Sequence, residues 1–294
     1  MASLKDVKTK IGGVKKTSQI TSAMNMVAAA KLRGAQQKME DFRPYTEKFN
    51  QAMSSLSANM ERGRFPLMES REVETVEIVI VTSDRGLCGS FNANIFKMVE
   101  KLAAGYEAEG KKVSLVCVGK KGNAYFRKSG KVRKAYVDIM GNFQMFNARA
   151  IAQDVAGNFL GGDADRVEVV YGKFHSVAVQ KPEVEVLLPV QPHEGAVEGE
   201  SEAGGAAAGD YIYEPSPTEI MDVLLPLYMN VVIYHAMLET GASEHAARMT
   251  AMDNATRACK DMIQDLTLLY NKARQAGITA ELMDIVGGAE ALKG

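Results

Sequence analysis

Tryptophan is absent from the sequence, and cysteine, histidine and proline are scarce: three, four and eight in 294 residues. Cys88, Cys117 and Cys259 are odd in number, far apart and without a CxxC pair, which argues against a disulfide framework and fits a reducing compartment. His175, His193, His235 and His245 form no HExxH and lie near no cysteine pair, so no metal ion is expected. An excess of one charge sign is also missing. The net charge of −1 speaks against a general nucleic-acid binder, which relies on a basic surface. No run of about 18 apolar residues stands out, so no membrane span is expected. The first residues, MASLKDVKTK, lack an apolar signal core and do not read as an organellar presequence.

The charge that is present is unevenly placed. Residues 1–38 carry Lys5, Lys8, Lys10, Lys15, Lys16, Lys31, Arg33 and Lys38 against Asp6 alone, whereas no Lys or Arg occurs between Lys181 and Arg248. Two partners of opposite sign, or ordinary solvated faces, would both produce this pattern.

The chain reads as three parts: an N-terminal helix over 1–60, a central α/β domain over 70–210 and a C-terminal helix over 211–294. The first is rich in Ala, Met, Lys and Gln, with Pro44 its only proline. A heptad count runs Leu4, Val7, Ile11, Val14, then polar Ser18, Thr21 and Asn25, and resumes at Ala28, Leu32, Ala35, Met39 and Phe42. Ile20, Met24 and Val27 carry apolar surface on another face. The third part opens with SPTE, where Ser216 is placed to be the N-cap, Pro217 the first helical residue and Glu219 the partner of a capping box. A 3-4 spacing then runs from Met221 through Tyr228, Leu238, Met252 and Ile263 to Ala273. Unbroken, this helix would be about 105 Å long at about 1.5 Å per residue. Pro226 is expected to kink it, and Gly241 and Gly277 to soften it. Two long helices with one apolar seam each cover one another most simply as an antiparallel pair.

Between them VEIVIV (76–81), KVSLVCVG (112–119) and RVEVVYGKF (166–174) read as buried strands alternating with helices near 92–104, 120–128 and 147–160. VEVLLPV (184–190) would add an edge strand, followed by an acidic Gly/Ala loop over 191–210. The expected class is therefore α/β: a long antiparallel two-helix coiled coil of the N- and C-terminal helices with a central Rossmann-like βαβ domain.

One stretch invites a chemical reading. TSDRGLCGSFN (82–92) follows the first strand, where α/β proteins often hold a phosphate, and places Cys88 near Arg85. Yet Gly86 and Gly89 match neither GxxxxGK[ST] nor GxGxxG, and no His or Asn spacing marks Cys88 as a nucleophile. A strand-to-helix turn, with glycines relieving φ and Ser90 or Asn92 as cap, explains the same residues. No catalytic residue and no cofactor are assigned. Three functions stay open on the residues alone: a mechanical shaft, a nucleotide-binding enzyme using this turn, and a dimeric coiled-coil scaffold.

KTKIGGVKKTSQITSAMNMVAAAKLR resembles the amino-terminal helix of the γ subunit of F-type ATP synthases, and ASEHAARMTAMDNATRACKDMIQDLTLLYNKARQAGITAELMDIVGGA resembles its carboxy-terminal helix. Ile278, Thr279, Glu281, Asp284, Gly288 and Ala289 meet the family signature, and TSDRGLCG and YIYEPSP are further family motifs. The resemblance spans nearly the whole chain. It implies a non-catalytic rotor shaft, one copy per complex, inside a ring of three α and three β subunits. The ε subunit and the membrane c-ring lie at its base, and proton-driven rotation moves the β sites through different affinities. It implies that Met24 faces a β-subunit loop and that Arg274 and Gln275, with Thr279 just beyond, meet a β catch loop. Tyr211 and Glu214 would lie on the c-ring. Cys88 would sit near an acidic β lever, with Arg85 a charge partner there. It further implies a peripheral place on the cytoplasmic face of a bacterial inner membrane. No cysteine-pair insertion of the chloroplast type is present, so thiol switching is not expected. Pro226 and the 191–210 loop have no functional account.

Overall fold

The computed structural model describes residues 4–57, 64–191 and 216–291. In chain order they form α1 (Leu4–Ser57), β1 (Thr75–Val81), α2 (Phe91–Ala108), β2 (Lys112–Val118), α3 (Lys120–Phe126), β3 (Val132–Tyr136), α4 (Met145–Leu160), β4 (Arg166–Phe174), β5 (Gln180–Leu188) and α5 (Pro217–Ala291). They gather into two compact units, Met1–Ala29 with Arg248–Gly294, and Ala30–Ala247.

The larger unit holds a five-stranded sheet in the order β3-β2-β1-β4-β5. β3, β2, β1 and β4 are parallel, and β5 runs antiparallel to β4 at the edge. The central strands are nearly all apolar because both faces are covered. Along β1, Val76, Ile78 and Ile80 enter a core with Phe91, Ile95 and Val99 of α2, while Val79 and Val81 enter one with Ile151, Val155 and Phe159 of α4. The second core also takes in Phe49, Met53 and Leu56 of α1 and Met221, Met229 and Ile233 of α5. β3 is absent from the sequence expectation. Its VRKAY run alternates poorly because it is an exposed edge, where Arg133 and Lys134 pair with Asp154 and Arg133 also reaches buried Glu77.

Pro226, Gly241 and Gly277 all lie inside one continuous helix. One expectation for α5 needs correction, because its middle is not a single seam: residues from Tyr228 to Ala246 are buried almost all round, Tyr234, His235 and His245 being half-buried. That burial explains a second departure. α5 does contain a stretch long and apolar enough to cross a membrane, but half of it is packed inside the protein. The cap and the first helical residue follow expectation: α5 begins at Pro217, Ser216 Oγ accepts the Glu219 N–H at 3.3 Å, and Ser216 O accepts the Ile220 N–H at 3.1 Å.

In the smaller unit the heptad positions of α1 from Val7 to Ala28 are buried or half-buried, as are Met249 to Ala273 of the α5 spacing. The polar interruption is the contact that orients the pair. Thr21 Oγ1 lies 2.7 Å from Thr256 Oγ1, and Asn25 Nδ2 donates to Met249 O at 2.8 Å. A rising number on one helix against a falling one on the other makes the pair antiparallel.

Candidate functional site

The turn between β1 and α2 is built by internal hydrogen bonds. Thr82 is fully buried; its Oγ1 donates to Val118 O at 3.0 Å and accepts the Gly122 N–H at 2.9 Å. Gly119 has φ +99° and its Cβ position would stand 2.2 Å from Thr82 O, so only glycine fits beside that strand end. Ser83 donates its hydroxyl to Arg85 O at 2.7 Å, and Asn92 Oδ1 accepts the Ser83 N–H at 3.2 Å. Asp84 turns inward. Its Oδ1 accepts the N–H groups of Lys120 and Asp138 at 2.8 and 3.0 Å, and its Oδ2 accepts that of Met140 at 2.8 Å.

The expected roles of this turn divide accordingly. Cys88 is only 2% exposed and its sulfur accepts from Asn92 Nδ2 at 3.2 Å, so it is a packed thiol and not a presented one. Asn92 ties the turn together in place of capping α2; Ser90 takes the N-cap position without a side-chain cap bond. Gly89 supplies positive φ, Gly86 does not, and Leu87 adopts φ +63° with its side chain 63% exposed. A leucine held in the left-handed region costs about 1 kcal/mol or more. Outward from this turn stand Arg85 and Leu87.

The sheet order reverses between β1 and β4, the place where open α/β sheets hold ligands. Here it is filled. The Cβ position of Gly172 would lie 2.4 Å from the Phe91 ring. α5 covers the end of β4: Thr240 Oγ1 accepts the Gly172 N–H at 3.3 Å, and Glu239 Oε2 that of Phe174 at 2.7 Å. Burial alone would raise the Glu239 carboxyl, but the His235 and Phe174 hydrogen bonds, with the charges of His235 and Arg43, outweigh it and hold the carboxyl below its ordinary value. A cavity of about 220 Å³ opens nearby between Lys31, Ala35 and Lys38 of α1, the 140–143 loop, and Leu238 and His245 of α5. It is smaller than ligand pockets of about 300–1,000 Å³. Among the described residues no three His, Cys, Asp or Glu gather as metal ligands.

The remaining expected positions lie on the long helices. Met24 is half-buried on α1, beside exposed Ile20, Met26 and Val27; Met26 was not singled out from the sequence. Arg274, Gln275 and Thr279 are exposed on α5, with Thr279 Oγ1 donating to Gln275 O at 3.0 Å. Tyr211 and Glu214 lie outside the described residues, as does most of the 191–210 loop. Unforeseen is how much apolar surface α5 shows toward its end: Leu268 is 70% and Ile285 68% exposed, and Leu269, Leu282, Met283 and Val286 are exposed too. Several of these residues sit off the 3-4 seam, a signal readable from the sequence as a second apolar stripe.

Comparison with known proteins returns one answer. The sequence pattern of the family described as ATP synthase matches residues 3–292. The ATP synthase gamma chain of Desulfotalea psychrophila is 66% identical over the full length of both chains, and that of Nitratidesulfovibrio vulgaris (Hildenborough) 54%. Among solved structures, the central stalk and c-ring of Tetrahymena thermophila mitochondrial ATP synthase includes a chain 27% identical with TM-score 0.60, covering 80% of this chain and 99% of that one. A chain of Euglena gracilis mitochondrial ATP synthase shares the fold at TM-score 0.66 and 23% identity, covering 98% and 94%.

Proposed function

The chain belongs to the ATP synthase gamma chain family, and from that premise we propose which of its surfaces serve the complex. Its function is that of the central stalk of an F-type ATP synthase, as a non-catalytic subunit of a membrane-bound complex. The observation that carries the surface reading is the exposed apolar side chains on α1 near Met26 and along the last third of α5. Met26, Leu268, Met283 and Ile285 are each more than three-fifths exposed, which a protein sleeve around them would cover. We assign that sleeve to the ring of α and β subunits. Met24, with Ile20 and Val27 beside it, faces a β loop, and Arg274, Gln275 and Thr279 meet a β catch loop as the helix turns past. At the β1–α2 turn Arg85 and Leu87 meet the acidic β lever, while Cys88 supports them from behind. We assign Tyr211 and Glu214, of the YIYEPSP motif, to the c-ring, with ε alongside, at the cytoplasmic face of the inner membrane. Because a partner shifts an equilibrium only through contacts that differ between its states, a rotating asymmetric surface is sufficient to drive β sites through different affinities.

A dimeric scaffold is disfavoured because the Thr21–Thr256 and Asn25–Met249 contacts form within one chain. A nucleotide enzyme is disfavoured by the filled crevice at β4. The test is reconstitution. The isolated chain is expected to turn over no ATP, and α and β subunits lacking it to give no coupled synthesis until it is added. Saturable ATP turnover by the chain alone, or coupling without it, defeats the reading.

A further inference from the structure

Asp84 is the one residue of the β1–α2 turn whose carboxylate reaches two other loops. Three backbone N–H groups converge on it, from Lys120 after β2 and from Asp138 and Met140 after β3. Such charge-assisted bonds are stronger than neutral ones. The second of these loops includes Asp138 at φ +60°, a conformation that needs holding.

Beyond Met140 the loop becomes a wedge. Met140 is buried in the core shared by α4, α1 and α5. The Phe143 ring meets Tyr234 of α5 edge-on at 5.8 Å and lies 3.5 Å from where a Cβ of Gly241 would stand. Tyr234 in turn meets Phe42 of α1 edge-on at 5.0 Å. A continuous path of contacts therefore runs from Asp84 through the 138–143 loop to both long helices, all within the unit Ala30–Ala247.

We propose that Asp84 and Phe143 form a strap fastening the carboxyl edge of the sheet to α1 and α5, and that this strap transmits torque between the α/β domain and the helices. The proposal rests on the central-stalk reading above. Asp84 is a positioning residue here: it acts through the loop and touches no partner. The second link, Phe143, is aromatic because a flat ring fills the space between Tyr234 and Gly241 without a polar group to satisfy.

Asp84→Asn separates the strap from mere folding. Asn keeps the size and can still accept the Lys120 and Asp138 N–H groups through one oxygen, but its NH2 then faces the Met140 N–H, donor against donor. Phe143→Ala removes the wedge and leaves the turn untouched. The complete complex, reconstituted into lipid vesicles with wild-type, D84N, F143A or doubly substituted chain, is assayed for ATP hydrolysis and ATP-driven proton uptake on the same sample. Each single variant is expected to lower the uptake-to-hydrolysis ratio by about twofold or more, and the double variant no further than the worse single one, because both cut one path. An unchanged ratio in assembled F143A complex, or in D84N, overturns the strap, as do losses that multiply in the double variant. If D84N does not assemble, F143A decides alone. Failure of the wild-type chain to support uptake would instead remove the central-stalk reading, and the strap with it.

Discussion

Tyr106 donates its hydroxyl to Glu168 Oε1 at 2.6 Å, and Arg166 Nε donates to the same oxygen at 2.7 Å. Burial, then the hydrogen bond to Glu168, pushes the Tyr106 hydroxyl from 10.0 up to about 12. The folded value exceeds the unfolded one, so the stabilisation is complete below the unfolded value and is lost as pH rises through the folded one. Tyr171 and Tyr228 are shifted upward too, both chiefly by burial. The protein is therefore expected to lose stability in the window from about 10 to about 12 set by Tyr106. Tyr106→Phe should be less stable at neutral pH, because Glu168 loses a donor, yet lose less on going alkaline. Denaturant midpoints at a series of pH values check this; parallel curves for the two proteins would contradict it. Cys117 belongs to the same scale: burial pushes its thiol up to about 12, which suits a core side chain and not a reactive one.

Among the elements, the polar layer of the helix pair has the clearest consequence. Thr21 Oγ1 is also 3.1 Å from Ser18 O, and Thr256 Oγ1 2.8 Å from Met252 O. Each hydroxyl has a single proton, so one threonine donates across the pair while the other bonds its own helix. Asn25 adds a directional bond to Met249 O. An apolar seam of Ala, Met and Val tolerates sliding, whereas this layer admits one register. Asn25→Ala is expected to destabilise the chain by about 1 kcal/mol and to loosen the pairing. Hydrogen exchange at 249–260 should rise while that of the strands stays as it was. Both seams were legible as periodicity, and so were the three central strands, whose β-branched runs need no partner to be recognised. β3 was not, because an edge strand of five residues with Arg133 and Lys134 carries no apolar alternation.

For the molecule as a whole, the division between a site and a surface matters most. Arg274 and Gln275 are exposed side chains, and surface substitutions usually change stability by no more than about 0.5 kcal/mol. Arg274→Ala and Gln275→Ala are therefore expected to leave the melting temperature nearly unchanged and to depress ATP turnover of the reconstituted complex. Unchanged turnover would remove these residues from the proposed β contact. Lys5, Lys8, Lys10, Lys15 and Lys16 are likewise exposed, so the basic bias of the first residues is surface charge and not part of the seam. The acidic bias from Lys181 to Arg248 is partly internal, since Glu239 and Glu244 are buried in α5.

Helix periodicity, the Ser216 cap, the core strands and the motif pattern of the family are local properties, set by residues a few positions apart, and the chain order alone displays them. The positions of Asp84, Cys88 and Glu239 depend on groups between 4 and 65 residues away. TSDRGLCGSFN reads locally like the phosphate-holding turns of α/β proteins. Folding aims Asp84 at three backbone N–H groups and buries the thiol, leaving Arg85 and Leu87 outward. The reason is physical: hydrogen-bond donors and apolar neighbours choose between inward and outward side chains, and those partners come together only when the sheet and the long helices pack.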